Sequence, residues 1–196
     1  ISNKYNIHPD KIFVINRGID TNFFDDDINA NDKKKSLDKY SIADDKKIFF
    51  YPGRITEWKG QYQFISKIEK INMKGRIIIF AGDTSNISHT NLLKSEIKNK
   101  NLIDKCKILG PLNDHDLKIA YSLSDLVLSL PTRPEGFGRT ISETISMKKI
   151  IIAKNIGGAF DQLKNLDKIY KIEERDMDQL NEKIEQILQL EEDFKE

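Results

Sequence analysis

One cysteine, Cys106, stands in the whole sequence, so no disulfide can form within the chain and a reducing compartment is the expectation. It falls in the apolar stretch from Lys105 to Leu109, where a buried, inert thiol is the ordinary reading. Histidine is sparse too: His8, His89 and His115 lie far apart, without the spacing of zinc ligands. No apolar run approaches the roughly 20 residues that a membrane-crossing helix needs, and no signal-peptide pattern occurs in these residues. Net charge is nearly absent: 32 basic against 31 acidic residues leave +1, which gives no global field to draw nucleic acid or an anionic membrane. Neither a G-x-G-x-x-G after a strand nor a G-x-x-x-x-G-K-[ST] is present, which sets aside the dinucleotide fingerprint and the P-loop.

What is present is a polar globular composition, 38% hydrophobic and 32% charged, with enough apolar content to fold. Its 196 residues suit one well-cored domain, so 1–196 is expected to be a single unit. The first residue is Ile1, and the opening segment reads as the middle of a longer protein.

Along the chain, short apolar runs alternate with helical periodicities. Strands are expected at Lys11 to Asn16, Lys47 to Tyr51, Arg76 to Ala81, Lys107 to Leu109, Asp125 to Leu130, Ile150 to Ala153 and near Lys168 to Ile172. Helices are expected at Asp32 to Tyr40, Gln61 to Asn72, Asn91 to Lys100, Asp114 to Leu123, Gly138 to Met147 and Met177 to Leu190. The acidic, Asn-rich stretch between Arg17 and Asp32 carries no periodicity and reads as a surface loop. Continuous apolar strands separated by single helices imply an α/β fold, a Rossmann-like parallel sheet with helices on both faces. In such sheets ligands bind beyond the carboxyl ends of the strands, so the loops after Tyr51, Ala81, Leu109, Leu130 and Ala153 carry the chemistry.

The first of these loops runs Pro52-Gly53-Arg54-Ile55-Thr56-Glu57-Trp58-Lys59-Gly60. Glycine lets the backbone approach a bulky anion, while Arg54 offers a planar fork and Lys59 a point charge, which suits a phosphate. Taken alone, two solvated cations are about an equally good reading. After Leu130 comes Pro131-Thr132-Arg133-Pro134-Glu135-Gly136-Phe137-Gly138-Arg139-Thr140, a rigid glycine turn that leads into a helix. Its unpaired amides and the positive end of the helix dipole also suit an anion. Glu135 and Glu143 flank that turn, and Glu143 is expected on the side of the helix opposite a buried stripe of Ile141 and Ile145. Carboxylates so placed can accept from sugar or ribose hydroxyls. Their spacing alone decides nothing, because Glu174 and Glu182 stand equally far apart.

Two charge runs read as ordinary surface. Asp25-Asp26-Asp27 contains the D-x-D that metal-dependent glycosyltransferases of another fold use, but it follows no core strand, so no metal is expected. The run Lys33-Lys34-Lys35 is balanced by Asp32 and Asp38 and reads as a solvated helical face.

From about residue 11 to 165 the segments resemble the C-terminal domain of the group 1 (family 4) retaining glycosyltransferases of the two-domain GT-B fold. Val14-Ile15-Asn16-Arg17-Gly18-Ile19-Asp20 is similar to the linker that enters that domain, and Pro52-Gly53-Arg54 with Trp58-Lys59-Gly60 is similar to its phosphate-gripping loop. Ala81-Gly82-Asp83 fits as well. Arg133-Pro134-Glu135-Gly136-Phe137-Gly138-Arg139-Thr140-Ile141-Ser142-Glu143 resembles the paired-glutamate signature, and Gly157-Gly158 follows it. The chain departs from the pattern at Thr144, Lys148 and Ile150, where the family has a small residue, then Gly and Pro, and at Asp161, where glutamate is common.

The resemblance implies that Arg54, Lys59 and Glu135 form the catalytic set: the two cations on the donor diphosphate, the carboxylate on the hydroxyls of the transferred sugar. It also implies donor contacts from Gly53, the amides of Gly136, Phe137, Gly138, Arg139 and Thr140, the ribose-binding Glu143, and the base-proximal loop of Leu109 and Gly110. The implied function is metal-independent, retaining transfer of a hexose from a nucleoside-diphosphate sugar, which is the substrate rather than a cofactor. The hydroxyl acceptor, a glycan or lipid-linked sugar, would meet a separate N-terminal domain, so this stretch alone is expected to bind donor with little turnover. The expected location is cytoplasmic, with the full-length protein peripheral at the inner face of a membrane. A nucleotide-sugar epimerase of related fold and a non-catalytic nucleotide-binding module remain open alternatives.

Overall fold

Six runs rich in Ile, Phe and Leu form one parallel sheet in the computed structural model, which describes residues 2–13, 15, 17–68, 71–164, 171–173 and 179–193. The strands are β1 (Lys47–Pro52), β2 (Arg76–Ala81), β3 (Cys106–Ile108), β4 (Leu126–Ser129), β5 (Ile151–Lys154) and β6 (Lys171–Ile172). Their order across the sheet is β3-β2-β1-β4-β5-β6, every pairing parallel, with Lys47 to Pro52 in register with Arg76 to Ala81. The helices are α1 (Ser2–Tyr5), α2 (Ala30–Lys39), α3 (Gln61–Ser66), α4 (Ile87–Asn99), α5 (Asp114–Leu123), α6 (Arg139–Ser146), α7 (Ala159–Leu163) and α8 (Leu180–Asp193).

Side chains alternate along each strand, and here both faces are covered. Phe49 and Tyr51 of β1 and Ile78 and Phe80 of β2 pack against α3, α4 and α8. Ile48, Phe50, Ile77 and Ile79 pack on the other face, with α2, α5, α6 and α7. Phe49 and Phe50 are both fully buried, each burial stabilising by about 1.5–3 kcal/mol. Asparagines start three helices: Asn29, Asn86 and Asn113 accept from backbone N–H groups of Asn31, His89 and Asp116.

The Rossmann-like expectation holds, and the differences are local. The described residues of 11–16 form no strand: Lys11 closes a 3-10 turn, and Phe13 and Ile15 are exposed with no strand beside them among the described residues, while Val14 and Asn16 lie outside those residues. The loop before α2 is not all surface, because Phe24 is buried, with its ring edge-on to Tyr121 and its carbonyl accepting from Ser146. Its Asn29 cap starts α2 at Ala30, and Asn86 starts α4 at Ile87, both ahead of the apolar periodicity that marks them in the sequence. Helix α3 ends at Ser66; Ile68 and Ile71 are still buried, and 69–70 lie outside the described residues. So do 168–170 of the seventh expected strand, 177–178 of the last helix, and Glu174. On α6 Ile141 is buried as expected, but it is Glu143 and Thr144 that join it, whereas Ile145, expected in the buried stripe, is 44% exposed.

The charge runs behave as surface. Lys35 pairs with Asp32, Lys34 with Asp38 and Asp44, and Asp25 with Lys118 at 2.5 Å. Cys106 is half-buried rather than buried, and the burial it has pushes its thiol pKa up to about 12, as suits an inert cysteine. Among the described residues no helix is long and apolar enough to cross a membrane, and no group of acids, histidines and cysteine is placed to hold a metal ion.

Candidate functional site

The strand order reverses between β1 and β4, since β1 leads outward to β2 and β3 and β4 to β5 and β6. That reversal opens a crevice at the carboxyl ends of the two strands. The loops after β1 and β4 form its walls, and they are locked to one another. Tyr51, at the end of β1, donates its phenol proton to the Lys59 carbonyl at 2.8 Å and accepts from the Leu130 N–H at 3.2 Å. Burial raises the phenol far above its ordinary pKa, so it stays a donor. Thr132 N–H bonds the Trp58 carbonyl at 2.7 Å. Gly60 completes the seam: its φ is +86°, and a Cβ there would lie 2.0 Å from the Leu130 carbonyl oxygen.

Two connected lobes occupy the crevice. The larger, of about 780 Å³, is walled by Arg54, Trp58, Lys59, Glu135 and the Gly136–Gly138 turn, with Ile15 and Arg17 at its edge. The smaller, of about 440 Å³, is walled by Gly53, Asp83, Pro111, Leu112 and Glu143. Arg54, Lys59, Arg139 and Thr140 belong to both and form the waist between them.

At that waist Lys59 Nζ lies 2.6 Å from Glu135 Oε1, each side chain largely buried. The Lys59 ammonium sits 4.7 Å from the centre of the Trp58 ring, and Arg54 lies 5.7 Å from the same ring while its side chain stays exposed. Helix α6 starts here, with Gly138 as its left-handed cap at φ 80°. The turn before it is braced from behind: the Gln162 carboxamide donates to the Phe137 carbonyl and, at 3.4 Å, to those of Gly138 and Gly158, and accepts from Ser142 Oγ. Gly158 allows the close approach, because a Cβ there would lie 2.4 Å from the Gly136 carbonyl oxygen. Glu135 itself is held by backbone, its carbonyl accepting from Gly158 N–H at 2.7 Å.

In the smaller lobe Glu143 is 5% exposed and accepts from Tyr121 at 2.8 Å, while Arg139 pairs with it at 3.0 Å. Burial and the neighbouring Glu143 carboxylate keep the Tyr121 phenol protonated. Asp83, at the end of β2, is held below the usual carboxylate range by the backbone N–H and hydroxyl of Ser85.

Of the residues singled out in the sequence, Arg54, Lys59, Glu135, Gly53, Gly136, Phe137, Gly138, Arg139, Thr140 and Glu143 thus line one crevice. Leu109 and Gly110 line an adjoining recess of about 340 Å³ beside α4, and the crevice wall at that point is Pro111 and Leu112. Tyr51, Gln61 and Gln162 were not legible as site residues, since each acts through backbone groups of the crevice loops, on which sequence pattern is silent; a polar residue inside an apolar run was the signal for Tyr51 alone.

The family model for glycosyl transferases group 1 matches residues 32–196. A glycosyltransferase structure from Rickettsia africae is 33% identical with a TM-score of 0.86, covering 95% of this chain and 49% of that one. Anabaena HepE in complex with UDP and glucose is 26% identical with a TM-score of 0.66, covering 74% of this chain and 38% of that one. The capsular polysaccharide biosynthesis glycosyltransferase CapM of Staphylococcus aureus is 25% identical over 166 residues, 80% of this chain and 41% of that protein. The chain therefore spans about half or less of the length of these relatives. With a crevice built on the topological switch point and a family match that runs through both of its walls, this chain belongs to the group 1 glycosyl transferases and has the Rossmann-like fold of their C-terminal, GT-B half.

Proposed function

We propose that this chain is the donor-binding half of a retaining glycosyltransferase, which passes a hexose from a nucleoside-diphosphate sugar to a hydroxyl acceptor held by a further domain. The observation that carries the reading is the order of charge along the crevice. A carboxylate, Glu135, stands in one lobe, the cations Arg54 and Lys59 with the α6 N-terminus at the waist, and a second carboxylate, Glu143, in the other. A nucleoside-diphosphate sugar has the complementary order: sugar hydroxyls, diphosphate, ribose hydroxyls. The HepE complex with UDP and glucose supports the same class of ligand.

In the reaction the bond from the sugar's anomeric carbon to the diphosphate oxygen breaks, and a bond to the acceptor oxygen forms on the same face. The acceptor's proton passes to the departing diphosphate. Arg54, Lys59 and the α6 amides neutralise the charge that develops there, which is how the site would work without a metal ion; one such donor is worth about 3–4 kcal/mol. Glu135, anchored by Lys59, holds the sugar hydroxyls in orientation.

The test is a thermal-shift panel of UDP, GDP, ADP and their glucose conjugates with chelator present. Ligand at 100 times its Kd should add about 2.7 kcal/mol of stability, and the lone tryptophan, Trp58, should report sugar entering its lobe. If none of the six shifts the melting point, the reading fails. Incubating the full-length protein with donor alone separates transfer from epimerisation, because a transferase leaves the sugar's configuration unchanged.

A further inference from the structure

Behind the Arg54 loop, at the first position of α3, stands Gln61, whose side chain is fully buried. Its Nε2 donates to two successive carbonyls, Gly53 at 3.3 Å and Arg54 at 3.0 Å. Its Oε1 is buried with no hydrogen-bond partner among the described residues. The orientation of the amide follows from its neighbours, because turning it over would set an oxygen against two carbonyl oxygens.

An orphaned buried acceptor is a net cost to stability, one that a methionine of similar shape would avoid. Nothing in core packing calls for an amide here. What the amide alone supplies is a pair of N–H donors aimed at the loop's backbone. A trans peptide directs its N–H opposite to its C=O. Drawing the Arg54 carbonyl toward Gln61 leaves the Ile55 N–H on the far side, where it bonds the Asp83 carbonyl at 2.9 Å on the crevice wall. By the same geometry, drawing the Gly53 carbonyl toward Gln61 turns the Arg54 N–H away from it. Gly53 has φ +133°, and a Cβ there would lie 3.6 Å from the Lys59 stem and 3.9 Å from Gln61 Nε2, so the amide, the glycine and the lysine stem stack in one place.

We propose that Gln61 is a positioning residue for the diphosphate grip: its carboxamide sets the two peptide planes that aim the Arg54 guanidinium and the Arg54 N–H into the waist of the crevice. This rests on the donor-binding reading above. Gln61 touches no substrate and acts through Arg54.

The test uses the full-length protein with Gln61→Met, which keeps the volume without the donors, and Gln61→Glu. Binding of UDP, GDP and ADP, and of the corresponding free nucleosides, is measured by calorimetry on each variant and on the unaltered protein. The expected result for Gln61→Met is about tenfold weaker binding of the preferred diphosphate with nucleoside affinity unchanged, the size of one or two lost hydrogen bonds. Gln61→Glu has a donor only when protonated, so its deficit relative to the unaltered protein at the same pH should shrink between pH 8 and pH 5.5. Equal diphosphate binding by Gln61→Met, equal loss for nucleoside and diphosphate, or a pH-independent Gln61→Glu deficit overturns the proposal. If Gln61→Met does not fold, the Gln61→Glu pH series decides alone. Failure of the unaltered protein to bind any of the three diphosphates instead overturns the donor reading beneath it.

Discussion

Arg54 and Tyr51 stand three residues apart and do opposite kinds of work. The Arg54 side chain is exposed at the waist, so its loss leaves packing intact. Tyr51 is buried between Phe64 and Phe80, with a hydroxyl that joins the two walls of the crevice. In the full-length protein Arg54→Ala should therefore lower kcat/KM by about 10²–10³-fold while stability changes by no more than about 0.5 kcal/mol. Tyr51→Phe keeps the ring and strands the Lys59 carbonyl and the Leu130 N–H, costing about 1–3 kcal/mol. Steady-state kinetics alongside urea melts of both variants would show this crossed pattern, and a matched effect in both would refute it. The cations of this site were legible because each stands in a glycine-bounded turn after an apolar strand. The pairing of Lys59 with Glu135 was not, because it joins residues 76 positions apart. Nor was the burial of Glu143, which depends on Tyr121 reaching it from another helix.

At the scale of the element, α6 is the piece whose placement matters most, since its first turn faces the waist and its body carries Glu143. Its far end closes in a Schellman motif: Lys149 N–H bonds the Thr144 carbonyl and Lys148 N–H the Ile145 carbonyl, each at 3.0 Å. The residue at the left-handed position of that motif is Lys148, with φ 52°. Glycine is the usual occupant, because a side chain there costs about 1–2 kcal/mol. Lys148→Gly should accordingly stabilise the protein by about 1 kcal/mol after the entropy of glycine is set against the relief. A urea midpoint that falls rather than rises would show that the lysine stem makes compensating contacts. The departure at Lys148 was visible in the sequence as a missing glycine. That the backbone keeps the glycine conformation regardless was not, because the two capping bonds impose it.

Over the whole molecule, one sheet with both faces buried ties the two cores together through the same strands. Phe49 and Phe50 are adjacent in β1 and belong to opposite cores. Phe49→Ala and Phe50→Ala should each cost about 3–5 kcal/mol. If 1–196 is one domain, both should lower a single transition, with Trp58 fluorescence and far-ultraviolet circular dichroism melting together. Two separated transitions would mean that the faces fold independently. What the sequence determined by itself was whatever depends on neighbours along the chain: the apolar strands, the intervening helices, the glycine turns, and hence a Rossmann-like parallel sheet with helices on both faces and its chemistry at the strand ends. What only the tertiary structure decided was everything that needs groups from distant segments to meet. The reversal of strand order between β1 and β4 opens the crevice, the Lys59–Glu135 pair bridges it, and the Tyr51, Gln61 and Gln162 side chains set its walls. The physical reason is that hydrophobic periodicity and turn chemistry are local signals, whereas a hydrogen bond across a sheet depends on packing that no window of sequence contains.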